Sequence, residues 1–154
     1  MEGVRRATAD DAQRCTEILA AAIEGTRGQR GAALLLEAER DGDRPDIAVA
    51  HWLADPQSAV ILGTFSDVAV GIGAGRIVTP GERPLGRIEC FYVEPDARAV
   101  GVGHAIVEGL VEWFAERGCR EVDAVALPGD RSSKQLLESS GFKARLLILH
   151  RSLG

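Results

Sequence analysis

The residues with the clearest chemical potential are Arg98-Ala99-Val100-Gly101-Val102-Gly103, with His104 after them. Before them runs an apolar, aromatic stretch, Ile88 to Val93, bounded by Gly86 and Pro95, which reads as a strand. After them Val102, Ile106, Val107, Leu110, Val111 and Phe114 recur at helical spacing. A strand, a glycine-containing loop and a helix start make an anion cradle. Glycine lets a ligand come close to the backbone, and the first amides of a helix have no partner within it. The helix dipole favours phosphate there by about 0.3–1 kcal/mol at an exposed site, and Arg98 adds a full positive charge. The pattern points to a phosphorylated cofactor, although two glycines before a helix also serve plain helix–strand packing. A P-loop would continue with Lys-Ser/Thr, where this chain has His104-Ala105. A dinucleotide fingerprint would place Gly or Ala where this chain has Ile106.

The elements that must position this loop can be read along the chain. Val4 to Ala7 is a short first strand. Thr8-Ala-Asp-Asp offers helix caps ahead of Cys15, Ile18, Leu19, Ala22 and Ile23 at helical spacing. Gly25 to Gly31 interrupts, Ala32 to Arg40 reads as a second helix, and Pro45 begins a third that runs to Asp55. Ala59 to Phe65 and Val68 to Val78 form a hairpin turning at Ser66-Asp67, with Gly71, Gly73 and Gly75 tolerable where another element packs closely. The helix after the loop ends near Arg117-Gly118. Glu121 to Leu127 reads as a buried strand, Asp130 caps a helix that stops at Gly141-Phe142, and Ala144 to His150 reads as a last strand. The fold class is α/β (α+β), a mixed, mostly antiparallel sheet flanked by helices, in one domain over residues 1–154.

Composition bounds the function. A chain of 154 residues, 45% hydrophobic and 27% charged, is long enough for a proper core. A net charge of −5 argues against a nucleic-acid partner and mildly favours cationic substrates. Cys15, Cys90 and Cys119 have no metal-type spacing, and an odd count does not suggest a disulfide framework. The chain starts without the apolar run of a signal peptide and holds no apolar segment of membrane-spanning length. The expectation is a cytoplasmic protein with no metal and no membrane partner.

The arrangement resembles the GNAT superfamily of N-acetyltransferases. That family's Arg/Gln-x-x-Gly-x-Gly/Ala signature is met by Arg98 to Gly103, and Ile88 to Pro95 looks like its fourth strand. A second family segment, a strand, a helix and a Gly-Phe, appears as Glu121 to Leu127, Asp130 to Ser140 and Gly141-Phe142. Two linked motifs in the right order make the similarity specific. It implies a GNAT-like sheet and transfer of acetyl from acetyl-CoA directly to an amine of a small molecule or peptide. It also implies that the backbone of Phe91, Tyr92 and Val93 runs beside the pantetheine arm. The amides of Ala99, Val100, Gly101, Val102, Gly103 and His104 would hold the pyrophosphate near Arg98. His104 at the helix start is equally a donor to phosphate or a solvated side chain. Asp130 and Ser133 stand at the family's cofactor-touching positions on the last helix, and last strands in similar proteins often pair into homodimers.

The chemistry so implied needs a base, because an alkyl amine with a pKa of about 10.4 is almost wholly protonated at neutral pH. Glu89 is the candidate, with a structural pairing to Arg76 or Arg87, or a role as an ammonium anchor, as alternatives. Period-two alternation puts Glu89, Phe91 and Val93 on one face and Tyr92 on the other. The Val93 N–H is the candidate to polarise the thioester oxygen. Where similar proteins often carry a tyrosine that protonates the departing thiolate, this chain has Leu137. That departure motivates a runner-up, an acyl-CoA-binding regulatory module with little catalysis. Cys90 with His104 is a weaker thiol–histidine candidate, His51 reads either as a half-buried helix histidine or as pointing into an acceptor cleft, and Trp52 and Trp113 read as core. Asp41, Asp43 and Asp46 read as a solvated acidic helix start that could attract an amine.

Overall fold

The computed structural model describes residues 1–38, 44–98 and 101–154. Strand β1 (Glu2–Arg6) is followed by helices α1 (Ala12–Thr26), α2 (Ala32–Ala38) and α3 (Pro45–Ala54). Strands β2 (Ser58–Phe65) and β3 (Val68–Val78) make the expected hairpin, and β4 (Leu85–Val93) leads through the glycine loop into α4 (Val102–Glu116). A short β5 (Val122–Ala124) precedes α5 (Arg131–Ser139). The five strands lie in the order β1-β2-β3-β4-β5, antiparallel except for the parallel β4–β5 pair. This is the expected mixed, mostly antiparallel sheet flanked by helices. The second helix was expected to reach Arg40, but the chain from residue 39 to 43, with Asp41 and Asp43, lies outside the described residues.

Each helix is placed by its apolar stripe. Helix α1 buries Cys15, Ile18, Leu19 and Ile23 and packs with α3 over Val60, Leu62, Ile72 and Ala74 on one face of the sheet. Its entry is held by Asp11, whose carboxylate accepts from the Thr8 amide at 2.8 Å and from both terminal nitrogens of Arg5 at 2.8 Å. Burial between these layers pushes the Cys15 thiol up to about 11, which keeps it un-ionised and inert.

Helix α4 lies on the other face, where Ile106, Leu110 and Phe114 are wholly buried. The glycines of β3 explain how it comes so close. A methyl group on Gly75 would stand 2.6 Å from Phe114 Cζ, and one on Gly73 would collide with Ile106 and meet Leu110 Cδ1 at 2.9 Å. What fills that space is the side chains of α4, so these glycines form a flat floor for a helix.

Two expected elements differ. The strand expected over Glu121 to Leu127 is regular only from Val122 to Ala124, because its pairing with β4 ends at Ile88↔Ala124. The strand expected over Ala144 to His150 does not form within the described chain. These residues leave the fold as an arm on which Leu146, Leu147, Ile148 and Leu149 are 72–91% exposed. A strand needs a neighbour to bond its backbone, and among the described residues none lies along it.

Gly73→Ala is expected to overpack the α4 contact and cost about 1–3 kcal/mol, lowering Tm by several degrees, on the order of 5 °C. Gly25→Ala, with nothing within 4 Å of the added carbon, should leave Tm unchanged or raise it. Parallel thermal melts of the two variants check both.

Candidate active site

The site begins with an irregularity in β4. Ala74 pairs with Cys90 and the next β3 residue, Gly75, pairs with Ile88, so Glu89 is an extra residue without an opposite number. Such a bulge twists and bends the strand that carries it. One position earlier in the chain, at Ile88↔Ala124, β4 and β5 pair for the last time. Beyond that point the two strands part, and the gap opens directly at Glu89.

The bulge overturns simple alternation. Ile88, Phe91 and Val93 pack with the α4 layer, whereas Cys90 and Tyr92 pack with the α1–α3 layer. Glu89 does not share a face with Phe91 and Val93. Its carboxylate lies 3.4 Å from Arg76 Nε, and Arg76 alternates with Ile72 and Ala74 onto the α1–α3 side. Tyr92 is therefore on the Glu89 side of the sheet, contrary to the alternation argument. Its ring lies under the Arg98 guanidinium, 5.4 Å from the centroid, and it is absent from the cavity wall.

A cavity of about 410 Å³ occupies the gap and continues beneath the helices. Its walls include Leu19 and Ile23 of α1, Leu35 and Leu36 of α2, His51 and Trp52 of α3, and Glu89 and Phe91 of β4. Asp130, Ser133 and Leu137 close the end formed by α5. Only a tenth of the Glu89 side chain is exposed. The Arg76 contact is an ion pair that falls short of a hydrogen bond, since Arg76 Nε is buried without a bonded partner. The carboxylate is thus largely shielded from water, beside a cation and at the edge of the gap.

The β4 backbone is equally specific. Glu94 donates to the Val70 carbonyl at 2.8 Å. Antiparallel alternation then turns Tyr92 toward β3 and leaves the backbone groups of Phe91 and Val93 facing the gap. The Val93 carbonyl is taken by Arg98 Nε at 2.8 Å. Arg98 thus pins the corner between β4 and the loop, and Arg14 secures it from α1 by bonding the Ala69 carbonyl and Glu94 at 2.7 and 2.9 Å. Nothing in the sequence pattern singles out Arg14, because its partners lie 55 and 80 residues away.

Gly101 begins α4 with φ +81°, and among the described residues no side chain caps it. The Ala105 N–H is bonded to the Gly101 carbonyl, so the amides of Val102, Gly103 and His104 precede the helical ladder and are open to an anion. Gly103 also serves packing: a methyl group there would stand 2.9 Å from Leu136 and 3.3 Å from Phe91. The packing reading holds at Gly103, and the positive φ accounts for the glycine at 101. Ala99 and Val100 lie outside the described residues. His104 is neither solvated alone nor paired with Cys90, since its ring nitrogens bond Ser140 Oγ at 3.1 Å and Ser139 Oγ at 3.3 Å. It ties the start of α4 to the end of α5. Asp130 caps α5, accepting from the Ser133 amide at 3.2 Å. Trp113 is buried in the core as expected, while Trp52 belongs both to the core and to the cavity wall.

Residues 13–142 match the model of the acetyltransferase (GNAT) family. The chain belongs to the GNAT family. An aminoglycoside N(6')-acetyltransferase type 1 from Stenotrophomonas maltophilia is 30% identical over 109 residues, 67% of this chain and 71% of that one. In fold the chain is similar to the aminoglycoside N-acetyltransferase AAC(6')-Iy in complex with CoA, with a TM-score of 0.73 and 18% identity over 100% of this chain and 96% of that one. A ribosomal-protein-alanine N-acetyltransferase from Brucella melitensis biovar Abortus 2308 has the same TM-score at 16% identity, over the full length of both chains. As a GNAT enzyme, this chain is an N-acetyltransferase whose donor is acetyl-CoA. The parted strands and the uncapped start of α4 fit that donor: a slot open between β4 and β5, and amides free for phosphate at its outer end.

Arg98→Ala is expected to loosen the β4 corner, costing about 1 kcal/mol, low for a charged hydrogen bond because the side chain is exposed. Arg98→Lys should not restore it, since an ammonium cannot both reach the carbonyl and lie flat on Tyr92. Urea unfolding of the three proteins measures this.

Proposed function

We propose that Glu89 is the base that frees the acceptor amine, and that the Val93 N–H polarises the thioester carbonyl. The observation that carries this is the bulge, which sets the only carboxylate of β4 at the mouth of the gap, while the gap side of the same strand offers the Val93 amide. Acetyl-CoA supplies an acetyl thioester. Phe91 and Val93 present backbone along its pantetheine arm, while Tyr92, expected there too, has its backbone turned toward β3. The amides of Val102, Gly103 and His104, with those of Ala99, Val100 and Gly101 and the charge of Arg98, hold its pyrophosphate. Asp130 and Ser133 line the slot from the α5 side. With a carboxylate beside it, a bound ammonium gives one proton to Glu89 and then attacks as the neutral amine; the nitrogen's second proton passes to water as the C–S bond breaks, and the transfer needs no covalent enzyme intermediate. Leu137, buried at the position of the usual tyrosine, offers no proton to the departing thiolate. A thiol of pKa about 8.5 leaves without one and collects its proton from water.

The acceptor is a small-molecule amine, as acted on by the aminoglycoside acetyltransferase relative. The 154 residues work as one catalytic domain in the cytoplasm. Three cysteines outside any disulfide support that compartment, and among the described residues no helix is long and apolar enough to cross a membrane.

The protein works as a homodimer in which the arm after Phe142 of one copy adds to the β5 edge of another. Four consecutive aliphatic side chains in water forgo about 1.5–3 kcal/mol each, and among the described residues no strand covers the far side of β5. Within the chain Asp123 of β5 pairs with Arg145, which holds the start of the arm at that edge. Light scattering should give twice the chain mass, and Ile148→Asp should give a monomer; a monomeric native chain sinks this assembly.

Glu89→Gln should lower kcat by about 10²–10⁴ and leave the calorimetric Kd for acetyl-CoA within about twofold. Unchanged turnover removes Glu89 from the mechanism.

A further inference from the structure

The cavity's chemistry says more about the acceptor than the family does. Among the described residues three carboxylates stand on its wall, Asp55, Glu89 and Asp130. Two are committed to the fold. Asp55 accepts from the Gln57 amide through one oxygen and from Ser58 Oγ through the other, both at 2.9 Å. Asp130 caps α5. Among the described residues Glu89 is the one wall carboxylate that holds no hydrogen-bond donor of the fold, and it already has Arg76 beside it. The remaining polar groups are no better suited to cations, because Arg76 is itself one and His51 carries no negative charge.

The helical wall is apolar. Leu19, Ile23, Leu35, Leu36, Trp52 and Leu127 form the side of the cavity away from the α4 cradle. A ligand with several ammonium groups would lose their hydration against these side chains and recover one carboxylate, which is unfavourable for every charge beyond the first. A ligand with one amine and a hydrocarbon body would gain on both counts.

We propose that the acceptor is a primary monoamine carrying an aryl or branched alkyl group, and that polycationic aminosugars are poor substrates. The amine is placed at Glu89 and the body lies among the leucines and Trp52. This rests on the assignment of Glu89 as base, and it goes beyond it by selecting the acceptor's chemical class.

The test compares 2-phenylethylamine with the aminosugar sisomicin. Thiol release from acetyl-CoA should give a kcat/KM at least 10²-fold higher for 2-phenylethylamine. Leu35→Glu, which adds a carboxylate to the apolar wall, should raise KM for 2-phenylethylamine at least tenfold and narrow the difference between the two amines. Calorimetry of the native protein loaded with CoA, titrated with each amine, reads the pocket independently of the chemistry and of how well that variant folds. Tighter binding of 2-phenylethylamine supports the proposal even where Glu89→Gln leaves turnover unchanged, a result that removes only the base. Equal or tighter binding of sisomicin, or equal or faster turnover of it, overturns the proposal.

Discussion

The structure depends on one local accident of strand pairing. At Glu89 β4 gains a residue that β3 does not match, and from that point β4 and β5 no longer run together. A continuous parallel ladder would close the gap and bury both strand backbones in hydrogen bonds. The bulge instead ends the ladder after Ile88↔Ala124 and leaves β4 amides without a strand partner. Those amides are what a donor's peptide-like arm can bond, so the place where the sheet fails is the place where a ligand can take the missing strand's position.

Holding that gap open requires rigidity on both sides. On one face the glycine floor of β3 lets α4 sit close enough for Ile106, Leu110 and Phe114 to be wholly buried. This aims the first turn of the helix, with its unsatisfied amides, at the outer end of the gap. At the corner between them Arg98 bonds the Val93 carbonyl, and Arg14 bonds the Ala69 carbonyl of β3 and the Glu94 carboxylate. His104 closes the opposite side by joining the start of α4 to the last turn of α5. The start of α4, the gap and Glu89 are thus fixed relative to one another by a few polar contacts laid over a dense apolar core.

The same layout separates two demands that compete in such sites. A base must be desolvated enough to hold a proton, yet burying a carboxylate is costly unless a partner stands near. Arg76 is that near partner for Glu89, at a distance short of a hydrogen bond. At the other end Leu137 supplies an apolar piece of wall.

What was legible in the sequence was local. Helical spacing in α1 and α4, the Ser66-Asp67 turn, the cap at Asp130 and the left-handed glycine at Gly101 each follow from residues within a turn or two of one another. So does the family signature, because amides at a helix start and a glycine turn are built from adjacent residues. What only the tertiary structure decided was relational. Period-two alternation placed Glu89 with Phe91 and Val93; an extra residue, visible only against β3, sent it to the other face beside Arg76. The apolar run from Ala144 to His150 reads as a strand, but a strand exists only with a neighbour, and among the described residues none lies along it. Arg14 carries no local signal at all, and helical spacing marks Leu19 as buried without showing that it lines a cavity. Their roles are set by segments that folding brings together from across the chain, and sequence spacing holds no record of that distance.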